Sequence, residues 1–324
     1  MKTFEDLRHL VEDEFNNLAL PKQPNNLYAP IKYALTQGGK RMRPVLTLMA
    51  CNIFADDITP AIKPALGLEI FHNFTLLHDD IMDCSDLRRG HPTVHSKWNN
   101  NIAILAGDAM AFVAMQYVAA APQNVAQQVC DIFNRTALEV CEGQQFDMDF
   151  ETSNNVHEKD YINMIRLKTA VLPAACLKIG ALIGGANEEQ AQHLYNLGIN
   201  IGLAFQLQDD YLDVFSTPDV LGKPIGGDIV ENKKTFLLIK TLGKLDVIQR
   251  NDLLKYLADK TVERYEKVSY VTDIYTRMKV ADDCRKKIEK YFAAAYNELS
   301  AIDVDNSRLE MLRAFMDKIA NRKK

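Results

Sequence analysis

The chain has 324 residues, of which 47% are hydrophobic and 25% charged, with a formal net charge of −5. That balance belongs to a folded globular protein and excludes a low-complexity or disordered chain. Its acidic sign gives no global field for nucleic acid, so any polyanion must be held by local cations.

Six cysteines are present, none in a C-x-x-C pair or at zinc-like spacing with histidines. They read as reduced, mostly small core residues of a cytoplasmic protein. The start, "MKTFEDLRHLVEDEF", lacks a basic segment followed by an apolar core, so no signal peptide is predicted.

Helical periodicity runs through the chain. Phe4, Leu7, Val11, Phe15 and Leu18 form an apolar stripe, and Thr3 with Asp6 fits a helix start. After the loop "PKQPNN", a short helix stops at Gly38-Gly39, and Pro44 suits the first position of the next. Residues 63–87 predict a helix buried on all sides, with Glu69 its one charge between Leu66 and His78, and "GHP" breaks it. The apolar run 102–121 has the length of a bilayer span, but Asp108 and its alanines favour a buried core helix over a transmembrane segment. Further helices are expected over 98–120, 123–150, 158–184, 187–215, 231–243, 247–258, 260–269, 271–297 and 306–321. No strand-like alternation, linker or solenoid repeat interrupts them. The prediction is an all-α protein, a single helical domain over 1–324.

One short motif occurs twice. "HDDIMD" holds Asp79, Asp80 and Asp83; "QDDYLD" holds Asp209, Asp210 and Asp213. Each is D-D-x-x-D at the end of an apolar helix. Residues at i and i+4 share a face, where like charges repel unless something offsets them. Hard oxygen donors on one face suit Mg²⁺, which keeps several waters and bridges carboxylates to phosphates. A lone motif reads more readily as a solvated helix end, whereas two copies favour metal.

Cations fall beside these motifs and beside glycine turns. "GGKRMRP" carries Lys40, Arg41 and Arg43; "DLRRGHP" carries Arg88 and Arg89; "RLKT" carries Lys168 and Thr169; "LGKPIGGDIVENKKT" carries Lys223, Lys233 and Lys234. Singly each is an ordinary surface cation, but grouped they suit phosphate oxygens through charge-assisted hydrogen bonds. Residues 214–231, rich in Gly and Pro, read as a lid loop. His72 lies two turns before Asp79 on the same face, which favours ligand binding over a core role.

In order along the chain, "GGKRMRP", "LLHDDIMDCSDLRRGHPTVH", "EGQQFD", "RLKTAVL" and "FQLQDDYLDVFSTPDVLGKPIGGDI" resemble the trans-isoprenyl diphosphate synthases, the polyprenyl synthetase family. The resemblance implies a helical bundle of the type I isoprenoid synthase fold around a central apolar cavity. It implies Mg²⁺-dependent head-to-tail condensation of isopentenyl diphosphate with an allylic diphosphate, with three ions and Mn²⁺ as a substitute. Asp79 and Asp83, supported by Asp80, would hold two ions; Asp209 would hold the third, with Asp210 and Asp213 nearby. Arg88, Lys168, Lys223 and Lys233 would hold the allylic diphosphate, and Lys40, Arg43, His72 and Arg89 isopentenyl diphosphate. Thr169, Gln206, Gln144 and Asp147 would line the reaction centre. A homodimer, with no nucleic acid or membrane partner, is implied as well.

Product length is expected to be set below the first motif, where Phe71, Phe74 and Thr75 lie one to two turns before Asp79. An aromatic residue five positions before that aspartate and a small one four before resemble enzymes making geranylgeranyl diphosphate, with farnesyl diphosphate second. The rival readings are a class I terpene cyclase and an inactive partner subunit of a heteromeric synthase. Two intact acidic motifs and "GGKRMRP" speak against both.

Overall fold

The computed structural model describes residues 2–153, 155–216 and 225–321. Lys223, and with it much of the expected lid, lies outside them. The described residues are helical apart from loops and one minimal hairpin, as the all-α expectation has it. The chain divides into two compact units.

The first unit comprises Met1–Thr136, Ala175–Tyr195 and Ile302–Arg313. Thr3 caps α1 (Phe4–Asn16) in a reciprocal capping box with Asp6, and Leu7, Val11 and Phe15 are the buried stripe. Helix α2 (Asn25–Thr36) leads to Gly38 and Gly39, both at positive φ, and then to α3 (Met42–Phe54). Helix α4 (Thr59–Met82) is the centre of the unit, packed on α3 and on α6 (Asn100–Val118). Close approach to α6 needs Gly107: a Cβ there would lie 2.3 Å from His78 Nε2.

Two expectations change in this unit. Helix α4 ends at Met82 rather than 87, and Cys84 turns the chain at φ 50°. A two-residue antiparallel pair follows, β1 (Leu87–Arg88) with β2 (His91–Pro92), before the short α5 (Val94–Lys97). Arg89 and Gly90 between them both have positive φ, the geometry of a type I′ turn. The second change concerns α6, which is not buried all round. Ala103, Ala106, Gly107, Met110, Ala114 and Val118 face inward, but Leu105 and Phe112 are 59% and 75% exposed. Uniform apolarity hid that one face carries the small residues that allow close packing while the other carries the large ones.

A buried ion pair fixes the entry to α3. Arg41 donates to Glu69 Oε1 at 3.2 Å and to the Leu35 carbonyl at 2.6 Å, and its guanidinium lies over the Phe15 ring. Both charged side chains are almost inaccessible to water. Of the three cations in "GGKRMRP", Arg41 is therefore structural.

The second unit comprises Ala137–Ala174, Asn196–Ala301 and Ala314–Lys324. In chain order the helices after α6 are α7 (Ala126–Thr152), α8 (Glu158–Ile165), α9 (Val171–Gly184) and α10 (Glu188–Phe215). From residue 225 onward come α11 (Gly227–Val230), α12 (Phe236–Lys244), α13 (Val247–Ala258), α14 (Arg264–Arg277), α15 (Val280–Ser300) and α16 (Asn306–Ala320). A break expected near 270 falls at Met278-Lys279 instead, where Lys279 takes φ 53° and separates α14 from α15. Between α8 and α9, Arg166–Ala170 forms a π-helical turn in which Val171 N–H donates to the Arg166 carbonyl. Wide turns of this kind often mark functional positions.

Glu69→Ala should cost about 3–5 kcal/mol, because it strands Arg41 as a buried, unpaired charge. Urea unfolding monitored by circular dichroism checks this; a change below about 1 kcal/mol would mean that the pair carries no such weight.

Candidate active site

In the first unit, the acidic end of α4 and the Arg88-Arg89 turn make one electrostatic arrangement. Asp83 N–H donates to the Asp79 carbonyl at 2.8 Å, so these two acids stand one helical turn apart. Asp80 points the other way. It is buried, and its Oδ1 accepts from Arg88 Nε at 2.7 Å and from the second guanidinium nitrogen at 2.6 Å. The type I′ turn sends Arg89 in a different direction, where it donates to the Gly38 carbonyl and lies against Gly39. A Cβ on Gly39 would meet that guanidinium at 2.8 Å, and its φ of 141° also favours glycine. The second glycine of "GGKRMRP" thus makes room for an arginine 50 residues away in the sequence.

His72 lies among these cations. Burial first, then Arg43, Arg89, Arg88 and Arg41, holds its imidazole well below the ordinary value, so it is neutral at pH 7. Burial also lowers the Arg43 guanidinium from its usual range. The Arg43 Nε is buried with no hydrogen-bond partner within the protein. A buried donor left open in a field of like charge is the arrangement an incoming anion completes. Lys40, three residues earlier, is exposed.

On the same helix Phe71 is buried against Phe74 and Phe133, with ring centroids at 5.5 and 5.3 Å. Phe74 also meets the His78 ring edge-on at 4.8 Å. Thr75 donates its hydroxyl to the His72 carbonyl at 2.8 Å.

In the second unit the π-helical turn carries Lys168 and Thr169. Lys168 Nζ donates to Asp147 Oδ2 of α7 at 2.6 Å, and Thr169 Oγ1 to Gln206 Oε1 of α10 at 3.2 Å. Two glycines allow the neighbouring helices to press on this turn. A Cβ on Gly143 would lie 2.2 Å from the Lys168 backbone nitrogen, and one on Gly202 2.5 Å from the Ala170 Cα. Gln144 follows Gly143 on α7 and is half-buried.

The second acidic motif is divided much as the first is. Asp209 is half-buried, while Asp210 and Asp213 are buried. Asp210 accepts from the Tyr161 hydroxyl, from Gln206 Nε2 at 3.2 Å and from the Phe236 backbone at 3.4 Å. Its pKa is pushed up to about 7, chiefly by burial, with the Tyr161 hydrogen bond opposing. Asp213 Oδ2 accepts from Asp228 N–H at 3.0 Å. Lys233 is half exposed and pairs with Glu231 at 2.9 Å.

The reading that gives all six acids to metal therefore meets a division of labour. Asp80, Asp210 and Asp213 have protein donors, whereas Asp79, Asp83 and Asp209 sit nearer the surface. Among the described residues no three acidic, histidine or cysteine side chains cluster as a preformed ligand set. The donors still fit Mg²⁺, which takes one or two carboxylates and completes its shell with water and substrate phosphate.

Sequence reading overlooked Tyr161 and Gly143. A tyrosine seven residues before Lys168 on an apolar helix needs a partner for its hydroxyl once buried, and that was the available signal. Gly143 stood inside "EGQQFD" in a helix interior, where glycine is unfavourable unless something approaches closely.

Two outcomes follow from this geometry. The unfolded chain protonates His72 near 6.5 while the folded chain keeps it neutral. The folded state then binds fewer protons, and stability falls as pH drops through 6.5. His72→Gln removes that loss, so its Tm relative to wild type should rise as pH falls through this window; a pH-independent difference would contradict it. Gly143→Ala should lower turnover at least tenfold by displacing Lys168, with far-UV circular dichroism unchanged.

The chain matches the family described as polyprenyl synthetase over residues 24–275. It is 38% identical over 294 residues to a geranylgeranyl diphosphate synthase of Methanosarcina mazei, covering 86% of this chain and 90% of that protein. It is also 38% identical over 250 residues to a geranylfarnesyl diphosphate synthase of Natronomonas pharaonis, covering 72% and 73%. A crystal structure of a geranylgeranyl pyrophosphate synthase superposes with a TM-score of 0.94 at 40% identity, covering 100% of both chains. Matched across the stretch that holds both acidic motifs and the Lys168-Thr169 turn, the chain belongs to the polyprenyl synthetase family.

Proposed function

We infer that the chain is a trans-prenyltransferase: it condenses isopentenyl diphosphate head to tail with an allylic diphosphate, giving a short-chain all-trans prenyl diphosphate and free diphosphate. Geranylgeranyl diphosphate is the favoured product. The observation that carries this reading is the isopentenyl side, where the open Arg43 Nε, Arg89 and neutral His72 await a second anion. A terpene cyclase takes one diphosphate and has no use for that site.

The chain's residues divide the work. Lys40, Arg43, His72 and Arg89 hold isopentenyl diphosphate, and Arg88, Lys168, Lys223 and Lys233 the allylic diphosphate. Asp80 keeps Arg88 extended, and Asp147 does the same for Lys168. Asp79, Asp83 and Asp209 are the Mg²⁺ ligands in this reading, with three ions as the full complement. Bound there, Mg²⁺ supplies neutralisation of the charge that develops on the departing diphosphate. Thr169 presents its hydroxyl oxygen toward the allylic cation left by C–O cleavage, Gln206 Oε1 accepts that hydroxyl's hydrogen bond, and Gln144 lines the same centre. The isopentenyl double bond attacks that cation, and the proton lost from the adduct goes to the released diphosphate. No protein base is needed, which suits a site without a Ser-His-Asp or Cys-His arrangement.

Phe71 and Phe74 act as the floor for the growing chain. The Phe71–Phe74–Phe133 contacts support a rigid wall there, and Thr75 contributes a small surface beside it. The two synthases named above differ in product, so the local wall rather than overall likeness guides the assignment. A homodimer is part of the reading, supported by the exposed Leu105 and Phe112, two turns apart on α6. Both units then serve one prenyltransferase domain, which the unbroken family match supports. Cytoplasmic residence is included too, since the six cysteines are free thiols.

Mass spectrometry of the products from Mg²⁺, isopentenyl diphosphate and farnesyl diphosphate tests the function. Geranylgeranyl diphosphate is expected. A hydrocarbon formed without isopentenyl diphosphate would point to a cyclase, and no product to an inactive subunit. Phe74→Ala should shift the product to at least one isoprene unit longer; an unchanged length would remove Phe74 as the floor.

A further inference from the structure

Tyr161 has no place in the chemistry above, yet it is a fully buried phenol whose hydroxyl is committed to one acid of the second motif. Both Asp210 oxygens are engaged inside the second unit: Oδ2 by Tyr161 and the Phe236 N–H, Oδ1 by Gln206 Nε2. Gln206 is thereby oriented, because its amide nitrogen must face Asp210 and its Oε1 must face Thr169. With the Gln206 oxygen presented to it, the Thr169 hydroxyl donates its one proton inward. Its lone pairs are then left to face outward. A hydroxyl free to rotate could instead aim its proton at the reacting centre and oppose positive charge there.

We propose that Tyr161 is a positioning residue for the prenyl transfer, acting through Asp210 and Gln206 to fix the Thr169 hydroxyl as an outward acceptor. The chain of donors runs Tyr161 to Asp210, Gln206 to Asp210, and Thr169 to Gln206. Its members come from α8, α10 and the π-helical turn, so the order of the turn and the polarity of its hydroxyl are set together. Asp210 works here as a hub rather than as a metal ligand. Buried networks of this kind are coupled, and losing one member disturbs the rest.

The inference rests on the prenyltransferase reading, and the test separates the two. Steady-state kinetics are measured for wild type, Tyr161→Phe, Thr169→Val and the double variant, with Tm recorded for each. Inactive wild type would overturn the functional reading and this inference with it. With active wild type, Tyr161→Phe should lower kcat about tenfold, the scale of one lost hydrogen bond to a charged group, with KM for isopentenyl diphosphate within about twofold. The double variant should be no slower than Thr169→Val alone, because both act through one hydroxyl. An unchanged kcat in Tyr161→Phe, or losses that multiply in the double variant, would overturn the inference while leaving the function standing. A fall in Tm with kcat intact would also overturn it, since it would show tyrosine serving stability only.

Discussion

The structure depends on how it disposes of adjacent negative charges. Two neighbouring aspartates on a helix end cannot both be buried without partners, nor do they sit comfortably side by side in water. Each motif resolves this by rotation of about 100° per residue along the helix. The inner member goes into the protein, where Asp80 meets Arg88 and Asp210 meets Tyr161, Gln206 and the Phe236 backbone. Asp79 and Asp209 are only half-buried and Asp83 is exposed. The acids that look equivalent in sequence are therefore two kinds of group: Asp80 and Asp210 hold the frame, and in the proposed function the outer ones hold Mg²⁺.

The cations follow the same logic. Arg41 neutralises Glu69 within the core, and Arg88 is held by Asp80, whereas Arg43 keeps a buried nitrogen open. Arg89 donates to a backbone carbonyl at a glycine pair, which orders the side chain without consuming its charge. The result in the first unit is positive charge gathered round a neutral histidine, a state that an uncharged ligand would not relieve. A diphosphate would relieve it, which links the local electrostatics to the proposed substrate class.

Much of this was legible in the sequence because it rests on short-range spacing. The two D-D-x-x-D motifs, the all-helical pattern, the Thr3–Asp6 cap and the placement of Lys168 and Thr169 all follow from residues within two turns of one another. What was not legible rests on partners far apart. Tyr161 and Asp210 are separated by 49 positions, and no local pattern tells which of Asp209 and Asp210 turns inward. The π-helical turn arises where Gly143 and Gly202 let α7 and α10 approach, and neither glycine is near it in sequence. The end of α4 was misplaced because apolar periodicity continues past Met82, while the backbone there is governed by the positive φ of Cys84. The exposed face of α6 was hidden for the opposite reason: a uniformly apolar helix shows no periodicity from which to read a face.

In the proposed division of labour, the outer acids bind Mg²⁺ with diphosphate while the inner acids hold the frame. Calorimetric titration of inorganic diphosphate, with and without Mg²⁺, on wild type, Asp83→Asn and Asp210→Asn tests it most directly. Mg²⁺ should tighten diphosphate binding in wild type and in Asp210→Asn, and Asp83→Asn should lose this tightening. Tightening that survives in Asp83→Asn but disappears in Asp210→Asn would contradict it.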